Sequence, residues 1–206
     1  MSNPSQPSSL TAAGGGDALS ALAAAAAGLP SEARQYSLLS GPDWVTDRAP
    51  PPIHKWNPDH CGDIGMEIRS DGSWWHAGAP IRRAELVKLF ASILRREASG
   101  DFFLVTPVEK VIVHVALHPL RVVDAEPLAG HSPETLVLTL NTGGTIPLDD
   151  RHDLSPEPKA ANAVFVTLDS GLTALFTRAA WYRLVERADE SGQLSSGGRL
   201  ISLLPG

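Results

Sequence analysis

Residues 63–97 read DIGMEIRSDGSWWHAGAPIRRAELVKLFASILRRE, and a change of period inside this stretch decides the fold class. Met66 and Ile68 alternate with Glu67 and Arg69, the period of two that belongs to a half-buried strand. Asp71-Gly72 supplies the residues of a tight hairpin turn, and Trp74, Trp75 and His76 fall on the returning strand. Gly78 and Pro80 interrupt that strand. From Ile81 the apolar residues recur at Leu86, Leu89, Phe90, Ile93 and Leu94, which is helical spacing carried through to Glu97. A hairpin followed by a helix is therefore the structural unit.

Upstream, Met1–Gly16 is rich in Ser, Pro, Gln and Gly and predicts a disordered tail. Asp17 suits the cap of an alanine-rich helix that Gly28 and Pro30 end. Alanine buries little area, so this helix reads as a loosely attached extension or as a partner-docking segment. Ser31–Leu39 fits a second short helix. Between Gly41 and Cys61, five prolines deny the backbone donors that a helix or central strand uses, yet Trp44, Ile53 and Trp56 need cover. That combination describes a strap laid across a core, or one wall of a binding cleft.

Downstream, strands are predicted at Asp101–Thr106, Val111–Leu117, Arg121–Asp124, Thr135–Asn141, Thr145–Leu148, Val164–Leu168 and Leu172–Leu175. Arg151–Ala161, with Pro156 and Pro158, reads as a loop. Thr177–Asp189 reads as a helix, and Leu200–Leu204 as a last strand after a Gly-Ser loop at Ser191–Gly198. The two helix entries, Ile81–Phe90 and Phe176–Val185, share an apolar residue, an Arg-Ala pair and three further apolar positions at a constant shift of 95. Each follows strand, Asp turn and strand, so the sequence points to a duplication.

The 206 residues, 43% hydrophobic and 19% charged, are globular values. A net charge of −6 and a pI near 5.6 exclude general affinity for nucleic acid backbones. Cys61 is the sole cysteine, so no internal disulfide framework exists. No apolar run approaches the ~18–20 residues that span a bilayer, and no Lys or Arg precedes Arg34, as a secretory signal requires. The expectation is a cytoplasmic protein.

Candidate chemistry is sparse. His54, His60, Cys61 and Asp63 lack the paired spacing of a zinc site, and Thr142–Thr145 joins strand to strand, without the helix terminus of a phosphate loop. No metal or cofactor is expected. Trp74, Trp75 and His76 together with Arg82, Arg83, Arg95, Arg96 and the run Thr106–Lys110 are the residue kit of a nucleotide pocket: flat faces beside guanidinium and ammonium groups. The same kit describes a core edge with a solvated basic helix face. At 100 degrees per residue Arg83 falls within the apolar arc of its helix, so it requires a carboxylate, carbonyls or an anionic ligand; Arg178 is its counterpart.

The string GDIGMEIRSDGSWWHAGAPI, the spacing from Arg83 to Glu97, LVTPVEK at Leu104–Lys110 and the upstream PPIHKWNP at Pro51–Pro58 resemble the bacterial family of unknown function numbered 1285. The resemblance implies a duplicated α+β core and a C-terminal half superficially like pleckstrin-homology folds. It also implies a cleft between the halves for a nucleotide-like ligand, and a role in signalling. It supplies no reaction.

The reading is an α+β chain of mostly antiparallel sheets: an extension at 1–49, an N-terminal half at 50–105 and a PH-like C-terminal half at 106–206. Its expected role is a non-catalytic module holding a small anionic, nucleotide-like ligand between the halves, through Trp56, Trp75, His76, Arg83, Arg96, Thr106, Glu109 and Lys110. Trp75 stacks, Arg83 and Lys110 offset phosphate charge, and Glu109 orients Lys110 or accepts from a base or ribose. The alternative is a module that docks a signalling protein through a strand edge or its PH-like half. An enzyme comes third, with Glu109 or His76 as a base that lacks a visible partner.

Overall fold

The computed structural model describes residues 19–24, 52–59, 61–130, 134–149, 151–168 and 170–203. The tail Met1–Gly16, the alanine-rich helix beyond 19–24, the short helix at Ser31–Leu39, the strap before Pro52, His60 and the turn residue Asp169 lie outside the described residues.

The first sheet contains β1 (Cys61–Ile68), β2 (Trp74–His76), β3 (Ala79–Pro80), β4 (Leu94–Arg96), β5 (Phe102–Val105) and β6 (Lys110–Val115). Helix α1 (Ala84–Ser92) lies between β3 and β4. The second sheet contains β7 (Leu120–Pro127), β8 (Leu136–Leu140), β9 (Thr145–Pro147), β10 (Leu154–Glu157), β11 (Ala163–Thr167) and β12 (Thr173–Phe176). Helix α2 (Arg178–Val185) follows, and β13 (Gln193–Ser196) pairs with β14 (Arg199–Ser202) as a separate hairpin. The protein is thus an α+β chain of two tandem domains.

Strand order is β3-β2-β1-β6-β5-β4 in the first sheet and β10-β11-β12-β7-β8-β9 in the second. Numbered within its own domain, each sheet reads 3-2-1-6-5-4, with the first and sixth strands adjacent and parallel and the remaining neighbours antiparallel. The duplication is therefore real at the level of topology. The 95-residue shift, however, superposes elements that are not equivalent: β11–β12 corresponds to β5–β6, whereas the hairpin at Asp71 is β1–β2. Helix α1 links the third strand to the fourth, while α2 follows the sixth. Amphipathic helices after polar turns share spacing whatever their place in a fold.

Four further expectations change. The helix ends at Ser92, whose hydroxyl donates to the Leu89 carbonyl, and Leu94–Arg96 leaves as β4 because Leu94 is buried opposite Leu104 of β5. Residues 154–157 form a strand despite Pro156, since β10 is the edge of its sheet, where a missing donor is tolerated. Arg199–Ser202 pairs with part of the expected Gly-Ser loop instead of closing a main sheet. The first sheet ends at Val115 and the second begins at Leu120, so the chain crosses between domains at 116–119. Thr106, where the sequence drew the divide, lies in the β5–β6 turn.

Alternation sets the core. Met66, Ile68 and Trp74 point inward from the β1–β2 hairpin, and Trp74 stacks on Phe90 of α1 at 6.2 Å between ring centres. Leu136, Leu138 and Leu140 do the same from β8, in the same buried cluster as Val122, Val166 and Phe176 of that sheet. The buried side chains of both sheets join in one contiguous cluster, so the domains share apolar packing as well as polar contacts. Leu22 is buried in it, which ties the 19–24 helical segment to the core more firmly than its alanine content suggested.

Candidate functional site

The eight residues singled out in the sequence separate into distinct places. Trp75 faces outward from β2, with the Arg69 guanidinium 3.3 Å from its ring centre and its indole N–H donating to Ser73 Oγ at 2.9 Å. One face of the indole is therefore already covered. His76 is buried on the opposite face, and neither its Nε2 nor the Trp74 indole nitrogen meets a hydrogen-bond partner among the described residues. Arg83 is exposed. It takes extended backbone angles before the first turn of α1, so its side chain leaves the apolar arc, and its carbonyl accepts from Leu86 and Val87.

Lys110, Arg95 and Glu97 form a partly buried network. Glu97 Oε1 accepts from Arg95 Nη2 at 2.7 Å and from Lys110 Nζ at 3.2 Å. Arg95 Nη1 also donates to the Ile53 and Trp56 carbonyls at 2.8 and 2.7 Å, which fastens residues 53–56 against β4. The Arg95 hydrogen bond, then Lys110, holds the Glu97 carboxyl below the usual carboxylate range. Thr106 is fully buried, its hydroxyl donating to the Glu109 carbonyl and accepting from the Glu109 N–H, both at 3.1 Å. Arg96 lies over Phe102 on the edge strand. Arg95 and Thr106 are thus held by structural partners, and among the described residues Lys110 is paired with Glu97.

A different site lies where the domains meet. The β1–β2 turn of the first domain rests on the second: Arg121 Nη1 donates to the Ser70 carbonyl at 2.9 Å and Asn141 Nδ2 to the Gly72 carbonyl at 3.2 Å. Gly72 has φ +81°, and a methyl there would approach Arg121 Cγ to 2.6 Å, so the turn needs glycine twice over. Beside this contact opens a hollow of about 610 Å³ bounded by Ser70, Leu117 and Arg121, the 159–164 segment, and Leu175–Arg178, Trp181 and Tyr182. Arg121, Lys159 and Arg178 line it and, among the described residues, no carboxylate does. None of the eight sequence candidates borders it, although Arg178 carried a signal as the counterpart of Arg83.

The wall at 157–163 is closely organised. Glu157 accepts from the Lys159 N–H through Oε1 at 2.9 Å and from His118 through Oε2 at 3.1 Å, while its carbonyl accepts from the Asn162 N–H. The Lys159 bond, with His118, holds the Glu157 carboxyl below its usual range. Burial pushes the His118 pKa down, only partly opposed by Glu157. Ala161 and Asn162 both adopt left-handed backbone angles, φ 52° and 59°. Asparagine tolerates that region, but alanine does so at a cost of roughly 1–2 kcal/mol. Among the described residues, no group of three or more His, Cys, Asp or Glu side chains forms a metal site. No helix among them is long and apolar enough to cross a membrane.

The molecule is accordingly a two-domain α+β protein with a cation-lined hollow at its domain seam. Residues 51–116 match the model described as "Domain of unknown function (DUF1285), N-terminal domain", and residues 119–200 match "Protein of unknown function (DUF1285), C-terminal domain". A crystal structure of a DUF1285 family protein from Silicibacter pomeroyi DSS-3 is similar at 37% identity, covering 76% of this chain and 88% of that one, with a TM-score of 0.66. Another, from Shewanella baltica OS155, is 32% identical over 60% of this chain and 91% of its own, with a TM-score of 0.49. Comparison with curated proteins finds no match. The chain belongs to the DUF1285 family.

Proposed function

We propose that this protein is a non-catalytic cytoplasmic binding module that holds a small anionic, nucleotide-like ligand in the seam hollow and signals through its domain contact. One observation carries the reading: on a chain of net charge −6, Arg121, Lys159 and Arg178 border a hollow of about 610 Å³ that, among the described residues, no acidic side chain lines. Several cations on one concave wall favour an anion, and the volume falls in the range of small-ligand sites. Trp181 and Tyr182 offer flat surfaces, and Phe176 holds the Trp181 ring by an edge contact at 5.7 Å. Because Ser70 and Arg121 belong to different domains, a ligand there touches both.

Isothermal titration of the full chain with nucleoside 5′-phosphates tests this. Binding lost in a Lys159→Ala/Arg178→Ala double variant and retained in Arg83→Ala supports the hollow; absence of binding across the panel, with no shift in melting temperature, rejects it. A second reading rests on α2, where Tyr182 and Val185 are 55% and 44% exposed, an apolar outward face suited to a protein partner. A Val185→Ser variant, which leaves the hollow's lining intact, that binds nucleotides normally but loses a partner would favour it.

A further inference from the structure

A second hollow of about 390 Å³ adjoins the first, and Asn162, Val164 and Trp181 line both. Its remaining border, which includes Pro156, Ser202 and Leu203, contains no charged residue of either sign among the described residues. The pair therefore has a polarity: cations on one side of Trp181, neutral and largely apolar surface on the other.

We infer that the ligand is extended and two-ended, with its phosphate end among Arg121, Lys159 and Arg178 and an uncharged ring system lying past Trp181 in the second hollow. The inference rests on the proposed anion site and adds orientation and length to it. Burying charge beside Pro156 and Leu203 without a partner is costly, so only a neutral moiety suits that side. Among the described residues Trp181 is the one large flat side chain bordering both hollows, and Phe176 restrains it, which prepares it to pack against a ring. Asn162 carries both a donor and an acceptor at the shared wall, the equipment that reads a ring's polar edge. The left-handed backbone at Ala161 and Asn162 sets that wall in place. A compact anion such as pyrophosphate would use the cations alone.

Calorimetric titration of the full chain with pyrophosphate and with the diphosphates of adenosine, guanosine, cytidine and uridine separates the possibilities. The expected result is weak pyrophosphate binding, at least tenfold tighter binding of one or more nucleotides, and at least a tenfold spread among bases. Pro156→Trp, on the exposed edge strand opposite Val164, fills the second hollow. It should bring every nucleotide to within about threefold of pyrophosphate while leaving pyrophosphate unchanged, and Ser202→Trp should do the same from β14. Arg178→Ala should weaken both probe types. Nucleotides that bind both tryptophan variants as they bind the parent, yet are lost in Arg178→Ala, overturn this inference and leave the anion site standing. Medium-chain acyl phosphates binding more tightly than any nucleotide overturn the ring assignment. No response to pyrophosphate or to any nucleotide removes the anion site itself.

Discussion

Arg121 and Ser70 join the two domains through one hydrogen bond, Nη1 to carbonyl at 2.9 Å, and both residues border the seam hollow. The Arg121 Nε is buried without a partner among the described residues, so the same guanidinium that docks the hairpin turn retains donor capacity. An anion there would be coupled to the domain contact by geometry alone.

Gly72→Ala tests that contact. The substitution places a methyl 2.6 Å from Arg121 Cγ and 2.9 Å from Asn141 Nδ2 at a backbone φ of +81°. Strain and displaced packing together should lower unfolding free energy by about 1–3 kcal/mol. Denaturant titration reads the loss, and an unchanged midpoint would show that the turn does not depend on this close approach.

His118 makes the protein less stable in mild acid. Glu157 only accepts, so His118 Nε2 carries the proton, and Nδ1 accepts from the Thr173 hydroxyl at 2.8 Å. Burial lowers the pKa of the imidazole in the folded state. The unfolded chain then binds more protons just below the ordinary histidine value, so this contribution is complete above about pH 6.5 and is lost as pH falls through the folded value. The lowered carboxylates Asp63, Asp71, Glu97, Asp149 and Glu157 act only at more acidic pH. Denaturation midpoints should fall between pH 7.5 and 5.5, and His118→Phe should flatten that slope. An equally steep variant would assign the effect elsewhere.

Glu97→Gln should cost stability without touching the hollow. It removes the charge that Arg95 and Lys110 share, at a carboxylate whose side chain is 28% exposed. Hydrogen bonds to charged groups of this kind contribute roughly 1.5–3 kcal/mol. The midpoint should drop while nucleotide titration is unchanged; a fall in affinity would place the network in the binding site.

How much of this was legible in sequence follows from where the signals are local. The Asp71-Gly72 hairpin, the alternation at Met66–Ile68 and 136–140, and most strands of both sheets were readable because period and turn chemistry lie within a few residues. The parallel pairing of β1 with β6 and of β7 with β12 has no local signature, so the duplication was detected but aligned on the wrong elements. Arg83 was misplaced because helical projection assumed a helix starting before Ala84. The hollow stayed hidden because Ser70, Arg121, Lys159 and Arg178 converge only through tertiary folding, and nothing in Ala161 announces a left-handed residue.

Ala161→Gly offers a last prediction, in which stability and binding move in opposite directions. Alanine at φ 52° forgoes roughly 1–2 kcal/mol relative to a residue without a Cβ. Glycine recovers that cost but gives back roughly 0.4–1 kcal/mol in unfolded-state entropy. The variant should therefore be more stable by about 0.5–1 kcal/mol. The gain comes at the wall that Lys159 and Asn162 share with the hollow, and glycine there lets the segment sample conformations that alanine does not. Nucleotide affinity should consequently weaken severalfold. Calorimetry beside denaturant titration measures both. A more stable protein that binds equally well would make the strained alanine incidental, whereas a less stable one would show that the surrounding hydrogen bonds to Glu157 do not hold the left-handed turn in place.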